Sequence, residues 1–358
     1  MNPNEQRLDY PWGDTLPDPA RVIEVADGVY WLRMPLPFAL DHINLWLLRD
    51  EIDGRAGWTI VDCGVARDEV KALWEQVFAQ VLDGLPVLRV IVTHMHPDHV
   101  GLAHWLCERW QAPLWMTMTD FMTARLWSQG KGAGGANTGG ESLVRHFARH
   151  GLSDPDLQEQ LRGRASYYPS LVPAVPQRFV RMMDGDKVRI GGQDWRVVVG
   201  YGHAPEHASL SCDSLRVLIS GDMVLPRIST NVSVPDHEPE ADPLRLYLSS
   251  LDRYEGLADD TLVLPSHGRP FRGLHERIAQ QHAHHAERLQ EVVDACRDQA
   301  LCAADIVPIM FKRKLDTHQL TFAMGEALAH LHALYFAGKL TRQLGDDGVM
   351  RFRSASVR

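Results

Sequence analysis

The stretch VIVTHMHPDHVG, residues 90–101, puts three histidines and an aspartate within six residues directly after an apolar run. Such a run reads as a buried strand, and polar groups at its mouth lose water at a cost unless something compensates them. A bound metal ion would do so. Other apolar runs end in the same way: TIV in Asp62, WRVVVGYG in His203, RVLISG in Asp222 and TLVLPS in His267. Five strand ends therefore bring seven donors, His94, His96, Asp98, His99, His203, Asp222 and His267, to one edge of a sheet, with Asp62 beside them. All are nitrogen or oxygen ligands, which suit Zn, Fe, Mn or Co. Seven exceed the needs of one tetrahedral ion and match two divalent ions sharing a carboxylate.

That arrangement dictates a chemistry. A water bridging two cations loses a proton near neutral pH, since one metal alone lowers its pKa to about 7. The resulting hydroxide attacks a carbonyl, thioester or phosphate ester, and Asp98 can accept or relay a proton while ligating. The chain shows no GxSxG nucleophile elbow that would supply a serine instead.

Elements able to present these donors are legible. VIEVADGVYWLRM carries an Asp-Gly turn, a strong hairpin signal, and INLWLLRD and GWTIVDCG follow as strands. ARDEVKALWEQVFAQVLDG has apolar residues at helical spacing and a Gly stop. LPVLRVIVTH reads as a strand and VGLAHWLCERW as a helix; WRVVVGYGH, RVLISGD and TLVLPSHG are later strands of a covered sheet. Between the two groups lies a helical, loop-rich insert, residues 121–183, expected to wall a substrate pocket. It holds the Gly-rich GKGAGGANTGG (residues 130–140) and YYPS, whose Tyr167 and Tyr168 are candidate pocket residues. After Arg272 the chain turns mostly helical, with Leu274, Ile278, Leu289, Val292 and Cys296 along one face, and it ends in two short strands around Gly-Asp-Asp-Gly. Helices followed by a hairpin suggest a winged-helix-like module. The expected organisation is a catalytic domain over residues 1–272 and a C-terminal module over 273–358.

The 358 residues are 45% hydrophobic and 23% charged, with a formal net charge of −9, which argues against nucleic acid or an anionic membrane as the partner of the whole chain. Five scattered cysteines without a CxxC pair, no signal-peptide core and no span-length apolar run fit a cytoplasmic protein. From Arg272 onward twelve Lys/Arg face ten Asp/Glu, and Lys312-Arg313-Lys314 is the one basic cluster, less than a nucleic-acid grip needs.

The motifs THMHPDH, GYGHAPEH, SGD and PSHG, in this order, strongly resemble those of the metallo-β-lactamase-fold superfamily over about residues 22–272. The resemblance implies an α/β (α+β) fold: a four-layered αββα sandwich with its metals at one edge of the paired sheets. It implies that His94, His96 and His203 hold a first metal, that Asp98, His99 and His267 hold a second, and that Asp222 bridges them. Asp62 would orient the ligand loop by hydrogen bonding without touching metal. The cofactors so implied are two divalent ions, zinc first, with iron or manganese as alternatives. The complete ligand set sets the chain apart from branches that drop second-metal ligands or use Cys.

Superfamily members with the same ligands cleave thioesters, as glyoxalase II does, or lactones, β-lactams, phosphodiesters or RNA, so the ligands do not choose the electrophile. The expected activity is hydrolysis of an ester, thioester or lactone of a small molecule. The alternatives are an endoribonuclease or phosphodiesterase using the C-terminal module as its grip, and a mononuclear iron persulfide-type dioxygenase using a subset of the ligands. A homodimer through the C-terminal module is one way to cover its apolar stripes. His207 is expected to brace the His203 loop, and Arg227 and Asn231, just past Asp222, are candidate substrate contacts. His42, His104 and His237 read as structural or surface residues, and His282, His284 and His285 as solvated decoration of a helix.

Overall fold

A computed structural model describes residues 5–129 and 140–355. The Gly-rich stretch of the insert, except Gly140, lies outside the described residues. Chain contacts divide the molecule into two compact units: Met1–Gln129, Tyr168–Thr230 and Ser250–Ile278 form the first, and Gly130–Tyr167, Asn231–Ser249 and Ala279–Arg358 the second. The division is discontinuous, whereas the sequence reading placed a single boundary at 272/273.

The first unit is built on two sheets. Strands β1 (Val22–Ala26), β2 (Val29–Pro35), β3 (His42–Ile52), β4 (Arg55–Val61), β5 (Val87–Ile91), β6 (Leu114–Met116) and β7 (Val180–Arg181) form a seven-stranded sheet in that order. The first four are antiparallel; β4 to β7 run parallel. Gly28, at φ +67, closes the β1–β2 hairpin in a conformation other residues rarely adopt. Strands β8 (Lys187–Ile190), β9 (Gln193–Gly200), β10 (His207–Cys212), β11 (Val217–Gly221) and β12 (Leu262–Pro265) form the second sheet, with β11 and β12 parallel.

The sheets meet face to face. Trp31, Trp46, Val61 and Ile91 of the larger sheet share one core with Trp195, Val197, Leu210 and Ile219 of the smaller. The alternate residues Leu32, Leu45, Ile60 and Val90 point the other way and are buried as well, so the outer face is also covered. Helices α1 (Asp68–Gln80), α2 (Pro97–Val100), α3 (Ala103–Trp110) and α4 (Met118–Ser128) belong to this unit. Helix α1 covers the outer face through Trp74, whose Nε1 donates to Cys63 O, and α3 packs on β5. On the outside of the smaller sheet the Tyr254 hydroxyl meets Ser209 Oγ at 2.7 Å. The architecture is the expected αββα sandwich.

The second unit holds α5 (Glu141–Arg149) and α6 (Pro155–Gly163). Helices α7 (Tyr167–Leu171), α8 (Pro243–Leu251) and α9 (Leu274–Ala295) each have residues in both units. Then come α10 (Ala303–Met310), α11 (Thr317–Phe336) and the antiparallel hairpin of β13 (Leu340–Leu344) and β14 (Met350–Ser354). One sequence expectation is corrected here: His285 is fully buried, its Nδ1 3.3 Å from His330 Nε2 of α11. It lies seven residues before Val292 and so shares that residue's face of α9.

Candidate metal centre

Parallel pairing decides where the donors go. β4 and β5 are in register at Val61–Ile91, and β11 and β12 at Gly221–Pro265, so both pairs end together, and the residues that follow, Asp62, His94 to His99, Asp222 and His267, emerge at one edge. His203 reaches the same edge from the turn between β9 and β10.

Two sets of side chains there could each hold a metal ion: His94, His96, His203 and Asp222, and Asp98, His99 and His267. In the first, His94 Nε2, His96 Nδ1 and His203 Nε2 lie 2.8, 3.0 and 3.2 Å apart, and His203 Nε2 is 3.3 Å from Asp222 Oδ2. In the second, Asp98 Oδ2 is 3.5 Å from His99 Nε2 and 3.4 Å from His267 Nε2. The other oxygen of Asp222, Oδ1, faces this second set, 3.6 Å from His99 Nε2 and 3.5 Å from His267 Nε2. Tetrahedral ligands bound at about 2.0–2.1 Å stand roughly 3.3 Å from each other, so these spacings fit first-row divalent ions.

Hydrogen bonding points the rings inward. His99 Nδ1 lies 2.8 Å from Asp62 Oδ2 and His267 Nδ1 2.8 Å from His42 O, which leaves each Nε2 free to ligate. His99 Nε2 and Asp222 Oδ1 are buried without a hydrogen-bond partner, and a cation would satisfy both. Burial, and then the neighbouring rings, drive His94 well below the ordinary histidine range; burial and His203 push His96 down to about 3. These two rings are neutral, as ligation requires. At His267 burial lowers the pKa but Asp222 and Asp98 outweigh it and raise it to about 10; at His99, Asp98, Asp62 and Asp222 likewise overcome burial. Burial would raise Asp98 and Asp222, yet His99 and His267 hold Asp98 at about 2 and Asp222 well below the usual range. The local field there favours a cation, and a divalent ion would displace the protons.

The bracing residues come from distant elements. Asp62, at φ +62, accepts from Thr93 N at 2.8 Å and from Thr93 Oγ1 while it orients His99. His207 accepts the Asp222 amide hydrogen at 3.0 Å and so holds the backbone at Asp222. Thr230 Oγ1 donates to Asp222 O. Buried Asn44 donates to Pro265 O and Gly268 O, and His42 Nε2 accepts from Gly268 N, so both steady the His267 loop. Sequence reasoning passed over Asn44, although a polar residue inside the apolar run INLWLL was the available signal.

The four candidate substrate contacts are divided between the two units, Tyr168 and Arg227 in the first and Tyr167 and Asn231 in the second. Tyr168 is buried in the first unit, its hydroxyl donating to Met95 O at 2.5 Å, behind the His94–His96 loop. Tyr167 belongs to the second unit, where Arg164 lies 4.7 Å over its ring and His318 is 5.7 Å away. Asn231, also in the second unit, accepts from Ser233 Oγ. The Arg227 side chain is 72% exposed, 3.8 Å from Glu5 Oε2.

A sequence model of the metallo-beta-lactamase superfamily matches residues 39–267, and one of the metallo-beta-lactamase-like C-terminal domain matches residues 289–355. The probable metallo-hydrolase YqjP of Bacillus subtilis is 23% identical over 319 residues, 86% of this chain and 92% of that protein. Among solved structures, a beta-lactamase domain protein from Burkholderia ambifaria is 60% identical with a TM-score of 0.93, over 99% of this chain and 100% of the other. A metallo-beta-lactamase family protein from Thermus thermophilus is 26% identical with a TM-score of 0.75, over 93% of this chain and 100% of that one.

Proposed function

The chain belongs to the metallo-β-lactamase superfamily and is a metal-dependent hydrolase, and from that premise we propose that it uses two divalent ions, zinc in the first place, to hydrolyse an ester, thioester or lactone of a small molecule. The observation that carries the two-ion reading is Asp222, which turns Oδ2 to His203 and Oδ1 to His99 and His267. A carboxylate that turns one oxygen to each ligand set is what two ions sharing a ligand would need.

Divalent ions held there would acidify a coordinated water and polarise the scissile carbonyl. The protein supplies the rest. His94 and His96 present neutral nitrogens, His203 adds a third ring nitrogen beside them, and Asp62 and His42 fix the tautomers of His99 and His267. We assign Asp98 as the proton acceptor, since its Oδ2 already faces both rings of the second set.

The net charge of −9 supports a small-molecule substrate over nucleic acid. The α10–α11–hairpin order supports a winged-helix-like module, which serves as a structural or dimerising element on this reading. No helix among the described residues is long and apolar enough to cross a membrane. Five buried free cysteines support a reducing, cytoplasmic setting.

The test is metal analysis of protein purified without added metal, followed by turnover on thioesters, lactones, β-lactams, phosphodiesters and RNA. Two equivalents of metal and turnover on a thioester, ester or lactone are expected. One equivalent of iron with persulfide oxidation, or turnover on RNA alone, would overturn the assignment.

A further inference from the structure

Asp120 lies in the first turn of α4, outside every motif that carries a ligand, and it is fully buried. Its Oδ1 accepts the Met95 amide hydrogen at 2.8 Å and its Oδ2 accepts the Glu206 amide hydrogen at 2.6 Å. Met95 separates His94 from His96, and Glu206 closes the turn that begins at His203. One carboxyl group therefore spans the two loops that supply the three histidines of the first set.

Neighbouring contacts make the same join. Thr117 Oγ1 donates to Glu206 O at 2.8 Å, and Thr119 N donates to Glu206 Oε2 at 3.0 Å. On the far side of Met95 the Tyr168 hydroxyl donates to Met95 O, so both polar groups of that residue are held. The ring of Tyr168 is itself wedged edge-on against Trp127, 5.4 Å between centroids. Burying a carboxyl group is costly unless its oxygens are hydrogen-bonded. The two backbone N–H groups meet different oxygens, and an asparagine would set a donor NH2 against one of them. The residue type thus follows from the task of clamping both loops.

We propose that Asp120, seconded by Tyr168, is a positioning residue that fixes His96 relative to His203, and thereby the affinity and coordination geometry of the first metal set. The set of Asp98, His99 and His267 has braces of its own, Asp62 on His99 and His42 on His267. The selectivity, though not the clamp, rests on the two-ion reading.

The experiment is cobalt(II) titration of chelator-stripped full-length wild type, Asp120→Asn and Tyr168→Phe, with affinities from competition against a chromophoric chelator, d–d absorption spectra, and melting of each metal-free protein. In Asp120→Asn one equivalent should bind about 10–100-fold more weakly, as outer-sphere changes do, with an altered d–d band. The other equivalent should keep its wild-type affinity. Tyr168→Phe should shift the same equivalent in the same direction by less. Wild-type affinity and spectrum in Asp120→Asn overturn the proposal, and so does an equal weakening of both equivalents that tracks the melting of the metal-free protein. Should Asp120→Asn not fold, unchanged affinity and spectrum in Tyr168→Phe overturn it. A wild type that binds a single equivalent refutes the two-ion reading instead, and the clamp then stands or falls on whether that one equivalent weakens.

Discussion

At the residue scale the site depends on groups that touch no metal. Asp62 accepts from Thr93 N, Thr93 Oγ1 and His99 Nδ1 and holds a left-handed backbone to do so. Asp62→Ala leaves the His99 ring without its orienting partner. Metal affinity of the Asp98–His99–His267 set should fall about 10–100-fold, read by chelator competition. Gly221 is constrained twice: its φ is +55, and a Cβ there would run into His207 Nε2, the atom that accepts the Asp222 amide. A non-glycine residue in this conformation costs roughly 1–2 kcal/mol before any clash. Gly221→Ala should lower both the melting temperature and the bound metal; full metal content with an unshifted melt would contradict this reading of His207.

At the element scale α11 offers two measurements. Asp316 caps its N-terminus, accepting from Gln319 N at 2.8 Å, with Gln319 Oε1 returning to Asp316 N. Asp316→Ala should cost about 1 kcal/mol in chemical denaturation, since it frees an amide of the first turn. Further along, burial raises Glu326 from its ordinary 4.5 to about 7, with Arg288 opposing. The folded state therefore holds a proton that the unfolded chain releases, and this contribution to stability is present below about pH 4.5 and lost by pH 7. Glu326→Gln should stabilise the protein at pH 8 more than at pH 5; an equal effect at both pH values would show that Glu326 titrates normally. The burial of His285 makes a related point, because the helical period placed it on the packed face although its polarity suggested solvent.

At the scale of the whole molecule the acidic chain exposes the basic run Lys312, Arg313 and Lys314. Neutralising all three should leave small-ester kcat/KM unchanged, with no salt-dependent RNA binding in either protein. Tight wild-type RNA binding whose log–log salt slope becomes shallower by about three phosphate contacts in the triple variant would move the function to nucleic acid. The unit boundaries also appear only at this scale. Residues 130–167 and 231–249 are far from 279–358 along the chain, yet they cluster with them, which no local composition shift announces.

The sequence by itself determined the donor types, their order and their places after apolar runs. Metal ligation admits few side chains, and strand periodicity is local, so both can be read along the chain. Tertiary structure alone decided that the two oxygens of Asp222 face different ligand sets, that Asn44 and His42 support His267 from over 220 residues away, and that Asp120 ties two loops together. It also separated Tyr167 from Tyr168, adjacent in sequence, into different units. These outcomes depend on sheet register and on backbone groups meeting across long loops, and a backbone amide carries no sequence signature of the side chain that will accept its hydrogen.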